Sequence, residues 1–510
     1  SRTWRKNDLT LLAGAELRQA HSTNNGAFYY GYDPNTGTSV NPDYYNYYPT
    51  YINGSYLNIP GSSGLGDQLN RYIAFYANGA YTYSRKYILS ASARRDASNL
   101  FGVATNNKWN PLWSAGAAWI LSRESFYHYT LFPLVKIRFT YGFSGNTDPS
   151  RTGVTTLSSF PPDYITHLPF SRIDQFPNPE LRWEKIKTVN LGIDFGTRGN
   201  RVTGSFEAYF KKGIDLFGPA TFDPTAALNT QSFITKNVAN MQGKGVELNL
   251  NSRNIQGRLS WNTSLIFNYT LNKTTNYFVD SGQRSGGFVN PGTQINPMVG
   301  KPLYSIVALR WGGLDQNGNP QGYVDGKLSE DYYTIYTQTR KEDLVYRSAL
   351  PVVYGSLSNT VRWDRLSLII NVSYSFGYYF VKPSFNYSTL FSNGANIGSS
   401  DYINRWRKPG DENRTNVPAM IYPADVIRDE VYSSSDALID RGDNIRLRFI
   451  NLAYDLNPSG KSIGGIHLQF YVNASNLKIL WRANQDGIDP DAVNGLPLGR
   501  SLAFGLRANF

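Results

Sequence analysis

The sequence predicts an all-β fold: a transmembrane antiparallel β-barrel wall with long extracellular loops. Three observations point there. First, many segments alternate apolar and polar residues over about nine to fourteen positions. An ordinary strand has a mode of about five or six residues, whereas a tilted membrane strand needs about 9–11. Second, the charges keep to one parity: Lys136, Arg138, Asp194, Glu207, Glu247, Arg446, Arg448 and Arg507 all fall on the polar face. A Lys or Arg facing lipid at mid-bilayer costs about 2–4 kcal/mol, so a barrel wall separates its residues in this way. Third, the connections are asymmetric. Ser84-Arg85-Lys86 and Thr197 to Asn200 are tight, while Ser22–Asn70, Ser144–Glu184, Asn272–Leu303 and Gly377–Arg441 are long. Short turns at one end and long loops at the other belong to membrane barrels.

The strands follow in order, about fourteen in all. The first two start near Asp8 and Arg71. Tyr87–Ala93 (YILSASA) alternates cleanly and then meets the charges of RRDASNLFG, Arg94–Gly102. Further strands start near Leu112, Val135, Val189, Val202 and Val246. In Leu259–Asn272, the residues Leu259, Trp261, Leu265, Phe267, Tyr269 and Leu271 oppose Ser260, Asn262, Ser264, Asn268, Thr270 and Asn272. Weaker alternation starts at Tyr304 and Tyr354, and Leu366–Phe376 repeats the clear scheme. Near Ile445 another strand begins, and its parity slips between Phe449 and Ile450, which predicts a β-bulge. Ile466–Ala474 and Leu502–Phe510 complete the set. A soluble sandwich also has one apolar face per strand, so alternation alone decides nothing; strand length and loop asymmetry do.

Composition removes several function classes. The 510 residues carry a formal charge of +12, but Lys and Arg are scattered through strands and loops, so nucleic acid is not an expected partner. With no cysteine there is no disulfide framework and no thiol chemistry. No run of about 18 apolar residues exists, and SRTWRKNDLT is not a signal peptide. The histidines are His21, His128, His167 and His467, without HExxH or G-x-S-x-G, and His467 shares the polar parity of its strand, which suits a lumen lining. Asp315–Asp325 (DQNGNPQGYVD) has Gly318 misplaced, Pro320 at the EF-hand glycine position and Gly326 where the bidentate Glu belongs, so it reads as a turn. No enzyme activity, cofactor or metal is expected.

Eight segments in order resemble the C-terminal half of SusC/RagA-type TonB-dependent transporters, the outer-membrane nutrient importers of Bacteroidota. Arg94, Asp96, Ala97 and Ser98 resemble the family's Arg-x-Asp-Gly-Ser strand ending, with Ala97 departing from Gly. Trp109–Phe126 resembles the next strand and its Trp-x-x-Ser-x-Glu close. The likeness continues through Val135–Asn146, Met241–Leu250, Leu309–Tyr323, Arg405–Asp411, Asp443–Leu456 and the terminal SLAFGLRANF.

The resemblance implies a 22-stranded barrel holding an N-terminal plug, energised through TonB-ExbB-ExbD and covered by a SusD-like surface lipoprotein. Residues 1–510 then form the C-terminal part of the barrel, with the plug and TonB box outside them. The edge near Asp8–Arg18 is expected to pair with an upstream segment. Phe510 is implied as a membrane-insertion signal. The Tyr-dense stretch Ala27–Asn53 supplies Tyr29, Tyr30, Tyr32, Tyr44, Tyr45, Tyr47 and Tyr48 as candidate contacts for ligand or lid, and RWRKPGD adds Trp406. The plainer alternative is that these rings pack the loop on itself. The expected function is active import of oligosaccharides or oligopeptides. A scaffold in an envelope complex is the alternative, and a soluble β-rich surface module comes third.

Overall fold

The computed structural model describes all residues except 27, 45, 52–53, 60–63, 100–108, 147–154, 161–165, 167, 222–232, 280–284, 293–294, 296, 394–399, 457–466, 494 and 510. Fifteen strands form one sheet in strict chain order. They are β1 Arg2–Trp4, β2 Asn7–Gly26, β3 Gly64–Tyr83, β4 Tyr87–Ser98, β5 Trp109–Trp119 and β6 Leu134–Asn146. Next come β7 Glu184–Gly196, β8 Val202–Thr221, β9 Phe233–Ile255, β10 Leu259–Tyr277 and β11 Val353–Trp363. The last four are β12 Leu366–Phe376, β13 Asn444–Asp455, β14 His467–Arg482 and β15 Ser501–Asn509. Every neighbouring pair is antiparallel.

Register turns the alternation into two faces. Tyr87, Trp119, Ile137, Ile193, Phe206, Leu248 and Phe267 are successive cross-strand partners and make one apolar row. The opposite face carries Lys136 against Asp194, and Glu207 against Glu247. The apolar side chains are exposed: Leu191 is 48% and Phe504 65% accessible, as a surface made for lipid must be. On β12 the apolar stripe runs from Leu366 to Phe376, with Trp363 and Tyr454 at one end and the rings of Tyr374, Phe376 and Trp481 at the other. Ten steps of about 3.3 Å, tilted by about 40°, cross about 25 Å, the height of a barrel's apolar band. Curvature is visible where Tyr72 of β3 and Phe217 of β8 pack against the same pair, Leu181 and Trp183. Among the described residues the sheet stays open: β1 covers β2 only from Asn7 to Leu9, and β15 has one partner.

Three expectations need correction. Several strands outrun the predicted lengths: β2, β3 and β8 have 20 residues and β9 has 23, because these strands continue past the bilayer as ribbons. The bulge lies at Arg448, one residue before the expected slip, since Leu447 pairs with Val372 and Phe449 with Asn371. The segment starting at Tyr304 does not join the wall. Ser305–Ala308 is buried on both faces between Asn290–Pro291 and Val345–Ser348 in a small separate sheet. Its four residues, too few to cross a bilayer, pack into a globular core instead.

Candidate functional site

The wall's inward face is built around ion pairs. Arg138 of β6 donates from Nε and Nη2 to the two Asp194 oxygens at 2.9 and 2.8 Å, and Nη2 also reaches Glu207 at 2.8 Å. Asn190 donates to the other Glu207 oxygen at 2.7 Å. Gly192 is Arg138's cross-strand partner, and a Cβ there would meet the guanidinium at 3.1 Å, so the missing side chain makes room for it. On β4 Arg94 bonds Asp96 at 2.6 Å and reaches Glu16 on β2 at 3.0 Å. The charged strand ending is therefore a tie across three strands.

A third cluster sits at the bulge. Arg446, 8% exposed, makes a two-pronged contact with Asp489, donates to Asn444 at 2.9 Å and lies 3.4 Å from Asp491. Arg448 donates to Ser373 at 2.7 Å. Asp489 and Asp491 belong to the connection between β14 and β15, so that connection is held against the wall.

At the long-connection end, the described residues of 278–352 and 377–443 fold together into a cap. Helices α1 Tyr332–Gln338, α2 Tyr387–Asn393 and α3 Val426–Ser433 belong to it. Asp331 caps α1 by accepting the Thr334 N–H, and Asp425 caps α3 by accepting those of Ile427 and Arg428. Phe288, Val307, Leu309, Ile335, Leu344 and Val431 form its core. Arg428 is 2% exposed and donates to the carbonyls of Gly318 and Ala419 at 3.2 and 2.9 Å and to Asn319 at 3.3 Å. The loop that superficially matched a calcium motif thus turns its Gly318 carbonyl and Asn319 side chain to this guanidinium. Its Asp315 accepts the N–H groups of Asn317 and Asn319 at 2.9 and 2.6 Å, the expected turn. Asp429 accepts the backbone N–H and hydroxyl of Ser388, both at 2.7 Å, tying α2 to α3. A cavity of about 460 Å³ beside α1 is lined by Arg310, Tyr323, Asp325, Gln338, Arg340 and Asp343.

The candidate rings divide into two groups. Tyr32, Tyr47 and Tyr48 are exposed on two small hairpins, Tyr30–Asp33 with Thr38–Val40 and Tyr47–Pro49 with Tyr56–Asn58, and Tyr29 is exposed just before the first. Tyr30 and Tyr44 lie 6.4 Å apart, and Tyr48 donates to Asp43 at 3.2 Å. Tyr45 and Phe510 lie outside the described residues. Trp406 is half-buried in the cap. Its ring covers Gly318, and its N–H donates to Glu412 at 3.0 Å, holding that carboxyl below the usual carboxylate range. Arg428 and the Asp489 and Asp491 contacts escaped the sequence reading, because their partners lie in distant connections without periodicity.

A pleated wall with lipid outside, ion pairs inside, tight turns below and a folded cap above defines an outer-membrane β-barrel. Residues 2–397 match the model of the family described as TonB dependent receptor-like, beta-barrel, and the chain belongs to that family. It is 28% identical over 467 residues to TonB-dependent receptor P3 of Formosa agariphila, covering 86% of this chain and 44% of that protein. It is 22% identical to TonB-dependent receptor SusC of Bacteroides thetaiotaomicron over 482 residues, 88% and 45% of the two chains. Its fold matches the RagAB peptide importer in the closed-closed state with a TM-score of 0.75 at 20% identity, covering 100% of this chain and 54% of that one. The chain spans about half the length of these relatives. The short-turn end is therefore periplasmic and the cap extracellular.

Proposed function

We propose that this chain forms the greater part of the wall of a TonB-dependent importer of oligomeric nutrients, oligosaccharide or oligopeptide. The observation that carries this reading is the pairing of an ion-paired inward face with an ordered extracellular cap. A passive scaffold has no need of either, whereas an importer needs a lined passage and a mouth that receives cargo. The exposed Tyr29, Tyr32, Tyr47 and Tyr48, with Tyr30 and Tyr44 beside them and Tyr45 from the same stretch of sequence, are the proposed contacts for cargo or for a SusD-like lipoprotein lid. Trp406, half-buried in the cap, is the further proposed contact for cargo or lid.

The open edges of β2 and β15 support closure with further strands into a 22-stranded barrel. A plug and a TonB-contacting segment would belong to that remainder, with TonB-ExbB-ExbD supplying energy. Phe510 is the proposed insertion signal. The test is uptake of labelled oligosaccharides and oligopeptides by cells with and without the intact gene. Import of one class should disappear in the deletion strain and after a protonophore. Uptake unchanged in the deletion strain, or insensitive to the protonophore, would refute the importer reading.

A further inference from the structure

Against the expectation that strand charges keep to the inward parity, lysines scattered along the sequence meet on the outward face of the wall. Lys187 of β7 is the direct partner of Lys212 of β8, Lys212 faces Gln242 of β9, and Gln242 faces Lys273 of β10. Lys244, the next outward position on β9, lies between Phe210 and Leu271. The row starts from Phe143, the partner of Lys187 on β6. The Lys187 ammonium stands 5.1 Å from the Tyr141 ring, which clusters with Trp113 and Phe143. That aromatic group marks the extracellular rim of the apolar band, so the lysines sit at the depth of outer-leaflet headgroups.

Of the carboxylates on these strands, Glu184, Asp194, Glu207 and Glu247 belong to the inward parity, and Asp215 is paired with Arg182 at 3.0 Å. Among the described residues none of the four lysines forms an ion pair. Like charges directly opposite on a ladder repel, so the Lys187–Lys212 pair destabilises the wall unless an anion lies over it. Snorkelling accounts for single lysines at a membrane rim but not for an uncompensated row across four strands. From β7 to β10 the row spans three strand spacings, about 15 Å. That is too wide for one phosphate and fits a phosphorylated disaccharide.

We propose that Lys187, Lys212, Lys244 and Lys273 hold the phosphorylated sugar headgroup of an outer-leaflet glycolipid against β7–β10. The site faces lipid and is separate from the cargo passage. The test uses the outer-membrane assembly containing this chain, purified in mild detergent, with bound glycolipid counted by native mass spectrometry. Changing all four lysines to Gln should reduce bound glycolipid at least five-fold, while four Arg substitutions retain it. Lys211→Gln, whose ammonium stands 4.5 Å from the Tyr209 ring and whose parity is inward, should change nothing.

After delipidation and transfer to phosphatidylcholine nanodiscs, diphosphorylated lipid A should rebind and its dephosphorylated form should not. Millimolar inorganic phosphate should leave the glycolipid in place. The proposal is overturned if the four-Gln assembly keeps its glycolipid, if Lys211→Gln loses as much, if the dephosphorylated lipid binds equally, or if phosphate displaces it. Should the four-Gln assembly fail to form, Lys212→Gln and Lys244→Gln alone decide: each should lose part of the lipid, and no change in either refutes the site.

Discussion

Trp119, the last residue of β5, donates its indole N–H to Glu124 at 3.0 Å, across the periplasmic turn that follows the strand. Glu124 also accepts Lys86 Nζ at 2.8 Å and the Tyr87 hydroxyl at 2.6 Å, so one carboxylate ties this turn to the Ser84–Lys86 turn beside it. The spacing of Trp119, Ser122 and Glu124 was conspicuous in the sequence, and the structure gives it a reason: the carboxylate satisfies three donors at the rim.

Those bonds, Lys86 first, hold the Glu124 carboxyl at about 2, well under its ordinary value. A carboxyl lowered by folding contributes stability above its unfolded pKa and loses it as pH falls towards the folded one. The heat-induced mobility shift of the purified wall should therefore soften between about pH 4.5 and 2. Glu124→Gln should lower the transition at pH 7 and flatten that dependence. An unchanged pH profile in Glu124→Gln would show that the rim does not rest on this residue.

Arg138 serves two carboxylates, Asp194 and Glu207, on the inward face. Arg138→Gln leaves Glu207 opposite Glu247 and Asp194 to Lys136 at 4.0 Å, and should cost about 1–3 kcal/mol in urea unfolding from vesicles, discounted for partial exposure. Arg138→Lys should recover little, because one ammonium cannot reproduce the forked contact. Full recovery by Lys would reduce the cluster to simple charge balance.

Arg428→Met should release the cap while leaving the wall. The substitution strips the carbonyls of Gly318 and Ala419 of a donor and leaves Asp429 buried at 5% exposure, a loss of about 3–5 kcal/mol. Limited proteolysis should then cut within 278–352 or 377–443 before any wall strand. Resistance equal to the wild type would mean the core around Ile335 and Val431 suffices alone.

The two faces can be read by chemistry. Leu368 pairs with Leu452, which pairs with Val472 on the outward face, and Phe470 lies on the same parity. Ser373 faces Arg446 and Asn473 faces Asn451, both inward. Cysteines at Leu368 and Phe470 should resist aqueous maleimide in vesicles, and those at Ser373 and Asn473 should react once the lumen is open. Equal labelling of both pairs would contradict a lipid-facing parity.

What the sequence determined by itself is everything that depends on near neighbours. Alternation along Leu366–Phe376 assigned each residue to a face, because successive side chains on a strand point to opposite sides. Tight turns such as Ser84–Lys86 and the long connections told the two ends of the wall apart. The slip near Phe449 announced a bulge within one residue of its true position at Arg448.

Contacts between distant segments were beyond that reach. Short buried strands such as Ser305–Ala308 and helices of seven or eight residues carry too little periodicity to reveal the cap before it folds. The partner of Arg446 is Asp489, 43 positions away in an aperiodic connection, so only the folded chain names it. Register decided the rest. Lys187, Lys212 and Lys273 look scattered in sequence, and hydrogen bonding between four strands brings them into one row, because ladder pairing is a property of the sheet and not of any strand.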